Sequence, residues 1–266
     1  MQLKKILSTK VLFAGLLSLA FSSPLFSQDI LRLDRATLSG LGLEGGPTEG
    51  GAMRYNKTLF DGEKFNVSVA AGNGPDNIEV LDIESFPIQE FCYLINGSVT
   101  FIGRDGRTDT FHTGDFFVIP LGFSGQMITQ GNHLYQVLLV VSDERGEPIP
   151  DAFPMMIDKT NMSGLGLEPS SFPPAGEDAE SNRKTMWDGS ELVVTIMDVE
   201  PNAGDFTDMS EEFVYVLNGS ATLTSVGGEP QTFYTGDFFV VPEGWDGNWA
   251  VDGNHLYREL IALPAN

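Results

Sequence analysis

The chain contains a 23-residue segment in two similar copies, and this repeat constrains its fold more than any other feature. Residues 113–135 read TGDFFVIPLGFSGQMITQGNHLY, and residues 235–257 read TGDFFVVPEGWDGNWAVDGNHLY, at a constant offset of 122 residues. Two copies are too few for a solenoid, and each copy is long enough to bury its own core. The repeat therefore predicts two homologous domains in tandem, spanning residues 28–146 and 147–266.

The N-terminus predicts a secretory signal peptide over residues 1–27. Lys4 and Lys5 precede the apolar run VLFAGLLSLAF at residues 11–21, and the segment SSPLFS follows up to Ser27. This run is shorter than the roughly 20 residues that a membrane-spanning helix needs. We therefore expect a secreted or periplasmic mature chain that has no membrane attachment after the signal is cleaved.

The composition is strongly acidic. The full chain has 15 Lys and Arg against 37 Asp and Glu, which gives a formal charge of −22. Such a surface repels the phosphates of nucleic acids and of anionic lipids, so we expect neither as a partner. The single cysteine, Cys92, excludes an intramolecular disulfide. A homodimer stays open.

Each copy shows the local pattern of short β-strands. EFCYLINGSVTFIG and EFVYVLNGSATLTS are rich in β-branched and aromatic residues, and each is interrupted by Asn-Gly, which favours a hairpin turn at Gly97 and Gly219. GDFFVIP and GDFFVVP predict short apolar strands that end at proline. No segment after residue 27 shows clear helical periodicity. The pattern predicts an all-β fold of two tandem jelly-roll barrels.

The motifs resemble the two conserved motifs of the cupin superfamily. Glu-x6-Gly occurs from Glu90 to Gly97 and from Glu212 to Gly219, and Gly-Asp-x4-Pro-x-Gly follows in each copy. The amino-acid sequence of these motifs is most similar to the cupin 3 group, which includes ureidoglycine aminohydrolase-like bicupins. The resemblance implies two double-stranded β-helix barrels. It does not fix an activity, because cupins include hydrolases, isomerases, dioxygenases and binding proteins.

The resemblance also implies a metal centre, but most ligand positions are changed. Cupins place three histidines and one glutamate around one metal. The histidine positions hold other residues in both copies: Glu84, Phe86 and Gly125 in the first, and Phe206, Asp208 and Gly247 in the second. Only Glu90 and Glu212 remain. We therefore expect neither a histidine-ligated transition metal nor a resident cofactor, whereas oxygen-rich Mn²⁺ or Mg²⁺ binding stays open.

A polar set is available in each barrel instead. His133 and His255 each precede Leu-Tyr, and strand alternation places the histidine and the tyrosine, such as Tyr257, on one face. Together with Glu90 or Glu212, they could bind a polar ligand or act as acid and base. Alternatively, the histidine hydrogen-bonds the turn and the tyrosine packs between strands.

The second copy is richer in aromatic and polar residues around the expected pocket. Trp245, Trp249, Asn248 and Asp208 occur where the first copy has mainly apolar residues. Aromatic surface beside carboxylates and an amide suits a sugar or a small polar metabolite. We therefore expect the better ligand site in the second barrel, with Glu212 as a central polar anchor.

Three functions stay open. The first is an exported bicupin that binds a small polar metabolite or sugar. The second is a cupin enzyme of the amidohydrolase or isomerase type, using Glu212 and His255 or an unorthodox Mn²⁺ site. The third is a structural or interaction protein with filled barrels. An open cavity in the second barrel would argue against the third function.

Overall fold

The computed structural model describes most of the chain after the predicted signal peptide, which lies outside the described residues. It describes residues 29–48, 51–131, 133–143, 145–170, 179–252 and 256–265. Within these ranges, no helix is both long and apolar enough to cross a membrane. The described chain is mainly β-structure, with two α-helices of four residues each.

The strands of the two halves follow one another in matching order. The first half contains β1 (Leu31–Leu33), α1 (Arg35–Leu38), β2 (Glu44–Pro47), β3 (Met53–Asp61), β4 (Phe65–Asn73), a 3-10 turn (Pro75–Asn77), β5 (Ile78–Ile83), β6 (Glu90–Asn96), β7 (Ser98–Gly103), β8 (Thr108–His112), β9 (Phe116–Ile119), β10 (Gly125–Gln130) and β11 (Tyr135–Ser142). The second half contains β12 (Met155–Met156), α2 (Lys159–Met162), β13 (Glu168–Pro169), β14 (Ser181–Asp188), β15 (Leu192–Val199), β16 (Asn202–Met209), β17 (Glu212–Asn218), β18 (Ser220–Ser225), β19 (Gln231–Tyr234), β20 (Phe238–Val241), β21 (Trp245–Asp252) and β22 (Tyr257–Pro264).

Each barrel consists of a seven-stranded and a four-stranded antiparallel sheet. The first barrel has the orders β12-β9-β6-β11-β4-β3-β2 and β5-β10-β7-β8, and the second has β1-β20-β17-β22-β15-β14-β13 and β16-β21-β18-β19. From β4 to β11, and from β15 to β22, successive strands cross from one sheet to the other except at β7–β8 and β18–β19, as in a jelly roll. The predicted all-β fold with two barrels is confirmed.

The prediction of hairpins at the two Asn-Gly dipeptides is wrong. Gly97 and Gly219 do adopt positive φ angles of 95° and 83°, as the Asn-Gly pattern requires. However, β6 and β7 lie in different sheets, as do β17 and β18, so each glycine forms a corner between sheets. The adjacent Asn96 and Asn218 hold these corners, because each side chain donates a hydrogen bond to the backbone before the last strand of its barrel.

Each barrel is completed by a strand from the other half of the sequence. β1 pairs with β20 of the second barrel, and β12 pairs with β9 of the first. Arg32 of β1 donates to the Asp237 carboxylate at 2.7 Å, and its guanidinium lies 4.1 Å from the centre of the Phe233 ring. The two barrels are therefore linked by reciprocal strand exchange as well as by the connecting chain.

The two seven-stranded sheets pack against each other through their outer faces. Phe91 and Phe213 meet edge to face across this junction, with ring centroids 6.0 Å apart. The buried Glu211 carboxylate accepts hydrogen bonds from the backbone N–H groups of Glu63, Lys64 and Phe65 at 3.0, 3.2 and 2.8 Å. A shared apolar core and buried polar contacts therefore fix the barrels relative to each other.

Candidate functional site

The interiors of the two barrels differ in character. Phenylalanines fill much of the first, where the Phe101 and Phe123 rings lie 5.5 Å apart and the Phe111 and Phe117 rings 4.6 Å apart. The second barrel opens onto a cavity of about 1070 Å³. A cavity of this size is large enough for a small organic molecule. It argues against a protein in which both barrels are filled.

Strand alternation determines which side chains of β22 reach the cavity. Tyr257, Glu259 and Ile261 point into it, whereas Leu260 and Ala262 join the core between the barrels. This division follows from the two-residue period of a strand whose two faces are both covered. An acidic side chain is thereby held inside the second barrel.

Two carboxyl groups and a phenol meet this cavity. Glu212 of β17 is 8% exposed, Glu259 is 2% exposed and Tyr257 is 1% exposed. The Tyr257 hydroxyl is near enough to the Glu259 carboxyl group for each to shift the pKa of the other, but the pair does not meet hydrogen-bond geometry. Tyr257 Oη and Glu259 Oε2 consequently have no hydrogen-bond partner among the described residues. Leaving buried polar atoms unsatisfied is costly, so the arrangement is suited to a ligand that supplies the missing partners.

Burial shifts the acidities of all three groups. Burial, followed by the nearby Glu259 carboxylate, raises the pKa of Glu212 to about 8. Burial also raises the pKa of Glu259 to about 7, against a smaller lowering by the Tyr257 hydroxyl. The pKa of Tyr257 lies well above its ordinary value, because of burial and then because of Glu259. Both glutamates therefore change protonation state near neutral pH.

An aromatic wall lies beside these polar groups. Trp249 of β21 and Phe206 of β16 both line the cavity, and their ring centroids are 6.2 Å apart in an edge-to-face arrangement. Met197 and Met209 extend the apolar surface. The cavity thus combines hydrophobic and aromatic walls with a few polar groups, which is typical of small-molecule sites.

A β-bulge removes the predicted acidic residue Asp208 from the site. The pairing of β16 with β21 shifts between Phe206 and Met209, and Asp208 adopts a positive φ of 55°. The bulge turns Asp208 to solvent, where its backbone N–H donates to the Asp246 carboxylate at 2.8 Å. Asp208 and Glu212 therefore do not converge, because the extra residue interrupts the alternation on which the prediction relied.

Two more of the predicted residues lie away from the cavity. Trp245 is fully buried in the core of the second barrel, where its Nε1 donates to Ser225 Oγ at 3.0 Å. Asn248 lies on the opposite face of β21 from Trp249 and donates to Asp205 at 2.9 Å. Trp245 therefore has a packing role, and Asn248 has an exposed side-chain partner.

The predicted pairing of histidine with glutamate is not assembled in the first barrel. His133 is exposed, and its backbone carbonyl accepts a hydrogen bond from Asn73. Glu90 lies inside that barrel, where burial raises its pKa to about 7. In the second barrel, His255 lies outside the described residues. Of the predicted set, Glu212, Trp249 and Tyr257 are brought together.

Glu259 was missed in the sequence, although the repeat contains the signal for it. GNHLYRELIAL places Glu259 where GNHLYQVLLVV has Val137, on the same strand face as Tyr257. A carboxylate that replaces an apolar residue at an inward-facing position marks a difference in function or in stability between the copies. A comparison of the two copies that was restricted to inward-facing positions would have found Glu259.

The family match agrees with this architecture. Residues 84–131 and 189–255 match the model of the EutQ-like cupin domain, cupin 3. The two matched segments contain the equivalent motifs of the two barrels. The chain is therefore similar to the cupin superfamily in both of its barrels. The resemblance seen in its sequence motifs is confirmed.

Solved structures share the fold of this bicupin at low sequence identity. A protein of unknown function from Pseudomonas syringae pv. tomato superimposes with a TM-score of 0.66 at 21% identity, over 88% of this chain and 98% of that one. A cupin 2 conserved barrel domain protein from Leptotrichia buccalis gives a TM-score of 0.52 at 14% identity, over 79% and 88% of the two chains. A search of curated proteins finds no match.

The residues of this bicupin do not fit the histidine-ligated metal of the superfamily. A side chain at Gly247, the third histidine position of the second barrel, would overlap the Trp245 ring and the Thr224 carbonyl. The other two positions hold Phe206 and the outward-facing Asp208. In the described ranges, no cluster of three His, Cys, Asp or Glu residues is arranged to hold a metal ion.

Proposed function

We propose that this exported bicupin binds a small polar organic molecule in the cavity of its second barrel. The observation that carries the proposal is that Tyr257 and Glu259 line the cavity while each keeps a buried polar atom, Oη or Oε2, without a hydrogen-bond partner among the described residues. Buried polar groups in native proteins are nearly always paired with protein, water or ligand. A ligand that bonds to both atoms would remove this deficit.

The composition of the cavity wall supports a ligand with both polar and apolar parts. Glu212 provides a second carboxylate, and Trp249 and Phe206 provide aromatic surface. The first barrel has Met127 where the second has Trp249, and Val137 where the second has Glu259. The features that suit a ligand are therefore concentrated in one barrel, whereas both barrels keep the scaffold motifs.

A metabolite screen on the mature protein tests this proposal. Hits would be found by thermal shift and measured by calorimetry on the wild-type protein and on Glu212→Ala, Trp249→Ala and Glu90→Ala. We expect the first two substitutions to weaken binding by about 1–3 kcal/mol, the usual cost of losing a buried partner. Glu90→Ala is the matched control in the other barrel and should have little effect.

Two outcomes would contradict the proposal. Equal losses from Glu212→Ala and Glu90→Ala would mean that both barrels bind. A loss confined to Glu90→Ala would place the site in the first barrel. Circular dichroism of each variant separates a loss of binding from a loss of folding.

A second candidate function is acid and base catalysis in the same cavity. The observation that favours it is the pair of carboxyl groups with pKa values of about 8 for Glu212 and about 7 for Glu259. Groups that titrate near neutral pH inside a cleft are suited to proton transfer, as in an amidohydrolase or isomerase. NMR measurement of the turnover of a screening hit tests it: Glu259→Gln should stop product formation even at substrate concentrations that saturate the variant.

A further inference from the structure

We propose that the ligand of the second barrel is an organic ammonium ion, held by the Glu212 and Glu259 carboxylates beside the Trp249 ring. This inference rests on the proposed binding function of the same cavity and names the chemical class of its ligand. It is carried by the charge balance of the cavity wall, by the types of hydrogen-bonding atom left open and by the spacing of the two glutamates.

Acidic side chains outnumber basic side chains on the cavity wall. Neither Glu212 nor Glu259 forms an ion pair with a basic side chain in the described part of the chain. The wall contains four carboxylates and two basic residues: Asp188, Glu212, Glu243 and Glu259 against Lys64 and Arg183. An entering cation favours the deprotonated forms of Glu212 and Glu259 and is then attracted on balance, whereas an entering anion is repelled.

The open hydrogen-bonding atoms are mainly acceptors. Glu259 Oε2 is a buried acceptor without a partner, and the Tyr257 hydroxyl beside it can accept as well as donate. Glu212 adds a second carboxylate that makes no hydrogen bond within the described residues and that faces the same cavity. An ammonium group has three donors and no acceptor. It matches this set better than a hydroxyl or a carboxylate does.

The two glutamates reach the cavity at different levels. Glu259 pairs with Val216, whereas the neighbouring pair Phe213 and Ala262 places Glu212 level with Leu263. Four residues on β22 thus separate the two levels, or roughly 13 Å between Cα atoms at 3.3 Å per residue. The site can therefore take a short chain with a positive charge at one end or at both ends.

The aromatic wall completes the site for a cation. The face of a tryptophan attracts ammonium groups, and more strongly where water is excluded. Trp249 is 8% exposed and belongs to the cavity wall. The acidity of the whole chain, with a formal charge of −22, also draws cations towards the protein.

An isosteric charge series tests the inference on the mature protein. Calorimetry would use 1,4-diaminobutane, 4-aminobutyrate, 1,4-butanediol and succinate, which have four-carbon chains of similar length and differ mainly in charge. We expect 1,4-diaminobutane to bind at least ten-fold more tightly than butanediol, with 4-aminobutyrate weaker than the diamine and succinate weakest. Glu259→Gln should weaken diamine binding at least ten-fold and leave butanediol binding unchanged.

A surface substitution controls for nonspecific attraction. Glu200 is exposed at the turn between β15 and β16, so Glu200→Gln changes the net charge by the same amount without touching the cavity. It should leave diamine affinity within two-fold of wild type. Glu259→Val, which introduces the residue of the first barrel at this position, should weaken the diamine as Glu259→Gln does.

The outcomes separate this inference from the proposed function. If succinate or butanediol binds most tightly and this binding is lost in Trp249→Ala, the inference of an ammonium ligand is wrong, but the cavity is supported as a binding site. If Glu259→Gln does not weaken diamine binding, the diamine is held by general attraction to the acidic surface, and the inference is wrong. MnCl₂ binding that excludes the diamine and is lost in Glu259→Gln would replace it with a metal site. Failure of the diamine to bind would also overturn the inference, while the metabolite screen decides on the cavity independently.

Discussion

The Glu259→Gln substitution should stabilise the protein increasingly as the pH rises. The pKa of Glu259 in the folded protein is about 7, against an ordinary value of 4.5. The folded state therefore holds this proton more tightly than the unfolded state does, so the group reduces stability as the pH rises from about 4.5 through 7. Each pKa unit corresponds to about 1.4 kcal/mol, so the full effect above pH 8 is about 3 kcal/mol.

Glutamine keeps the shape of the side chain and removes its charge. At pH 5.5 the penalty is only partly developed, so the gain from Glu259→Gln should grow by about 2 kcal/mol between pH 5.5 and pH 8.5. Both pH values lie above the isoelectric point of about 4.2, so the protein has enough net charge at each to stay soluble. Removing Glu259 also removes a negative neighbour of Glu212, which adds to the gain.

Urea unfolding followed by tryptophan fluorescence measures this effect. All three tryptophans, Trp187, Trp245 and Trp249, belong to the second half of the chain, so their emission reports on the barrel that contains Glu259. Glu200→Gln, at an exposed position, should give the same small difference at both pH values. A difference for Glu259→Gln that does not change with pH, or a loss of stability at pH 8.5, would refute the argument that burial destabilises the Glu259 charge.

Three further results are expected. Ser225→Ala should cost about 1–2 kcal/mol of unfolding free energy, because it leaves the Trp245 indole N–H without its acceptor, and should not change ligand affinity in calorimetry. Glu211→Ala should cost about 2–3 kcal/mol in urea titrations, because three backbone N–H groups at the barrel junction lose their acceptor. Elemental analysis of protein purified without chelator should find little iron, zinc, nickel or copper, because the histidine ligand positions hold other residues. Near-stoichiometric metal would contradict this expectation and would require ligands outside the family positions.

The barrels could be predicted from the sequence because their signals are local and repeated. Strand composition and the turn glycines predict short strands in both copies, and the cupin motifs order them. The exchange of β1 and β12 could not be predicted. LRL and MM are too short to show a period, and their pairing with β20 and β9 depends on how the two barrels pack. The Asn-Gly corners were misread because the dipeptide specifies a backbone turn and not the sheet that the next strand joins.

The candidate site could be predicted where simple alternation holds. Glu212, Trp249 and Tyr257 lie on regular strands, and all three line the cavity. Asp208 does not, because a bulge reverses its direction, and no local signal in NAGDFTDM marks that bulge. The sequence predicts that the aromatic residue Trp245 lies around the pocket, but its ring fills the core of the second barrel. Aromatic composition alone does not distinguish a packing role from a binding role.

The differences between the barrels indicate how the second tolerates a polar interior. Burying carboxylates such as Glu212 and Glu259 costs several kcal/mol when they are charged, which is a large part of the stability of a single domain. The second barrel shares an apolar core with the first and takes β1 from the other half of the sequence. Because unfolding one barrel would expose the core of both, their stabilities are coupled. The apolar core that the two barrels share therefore helps to offset the cost of the unpaired polar groups in the second barrel.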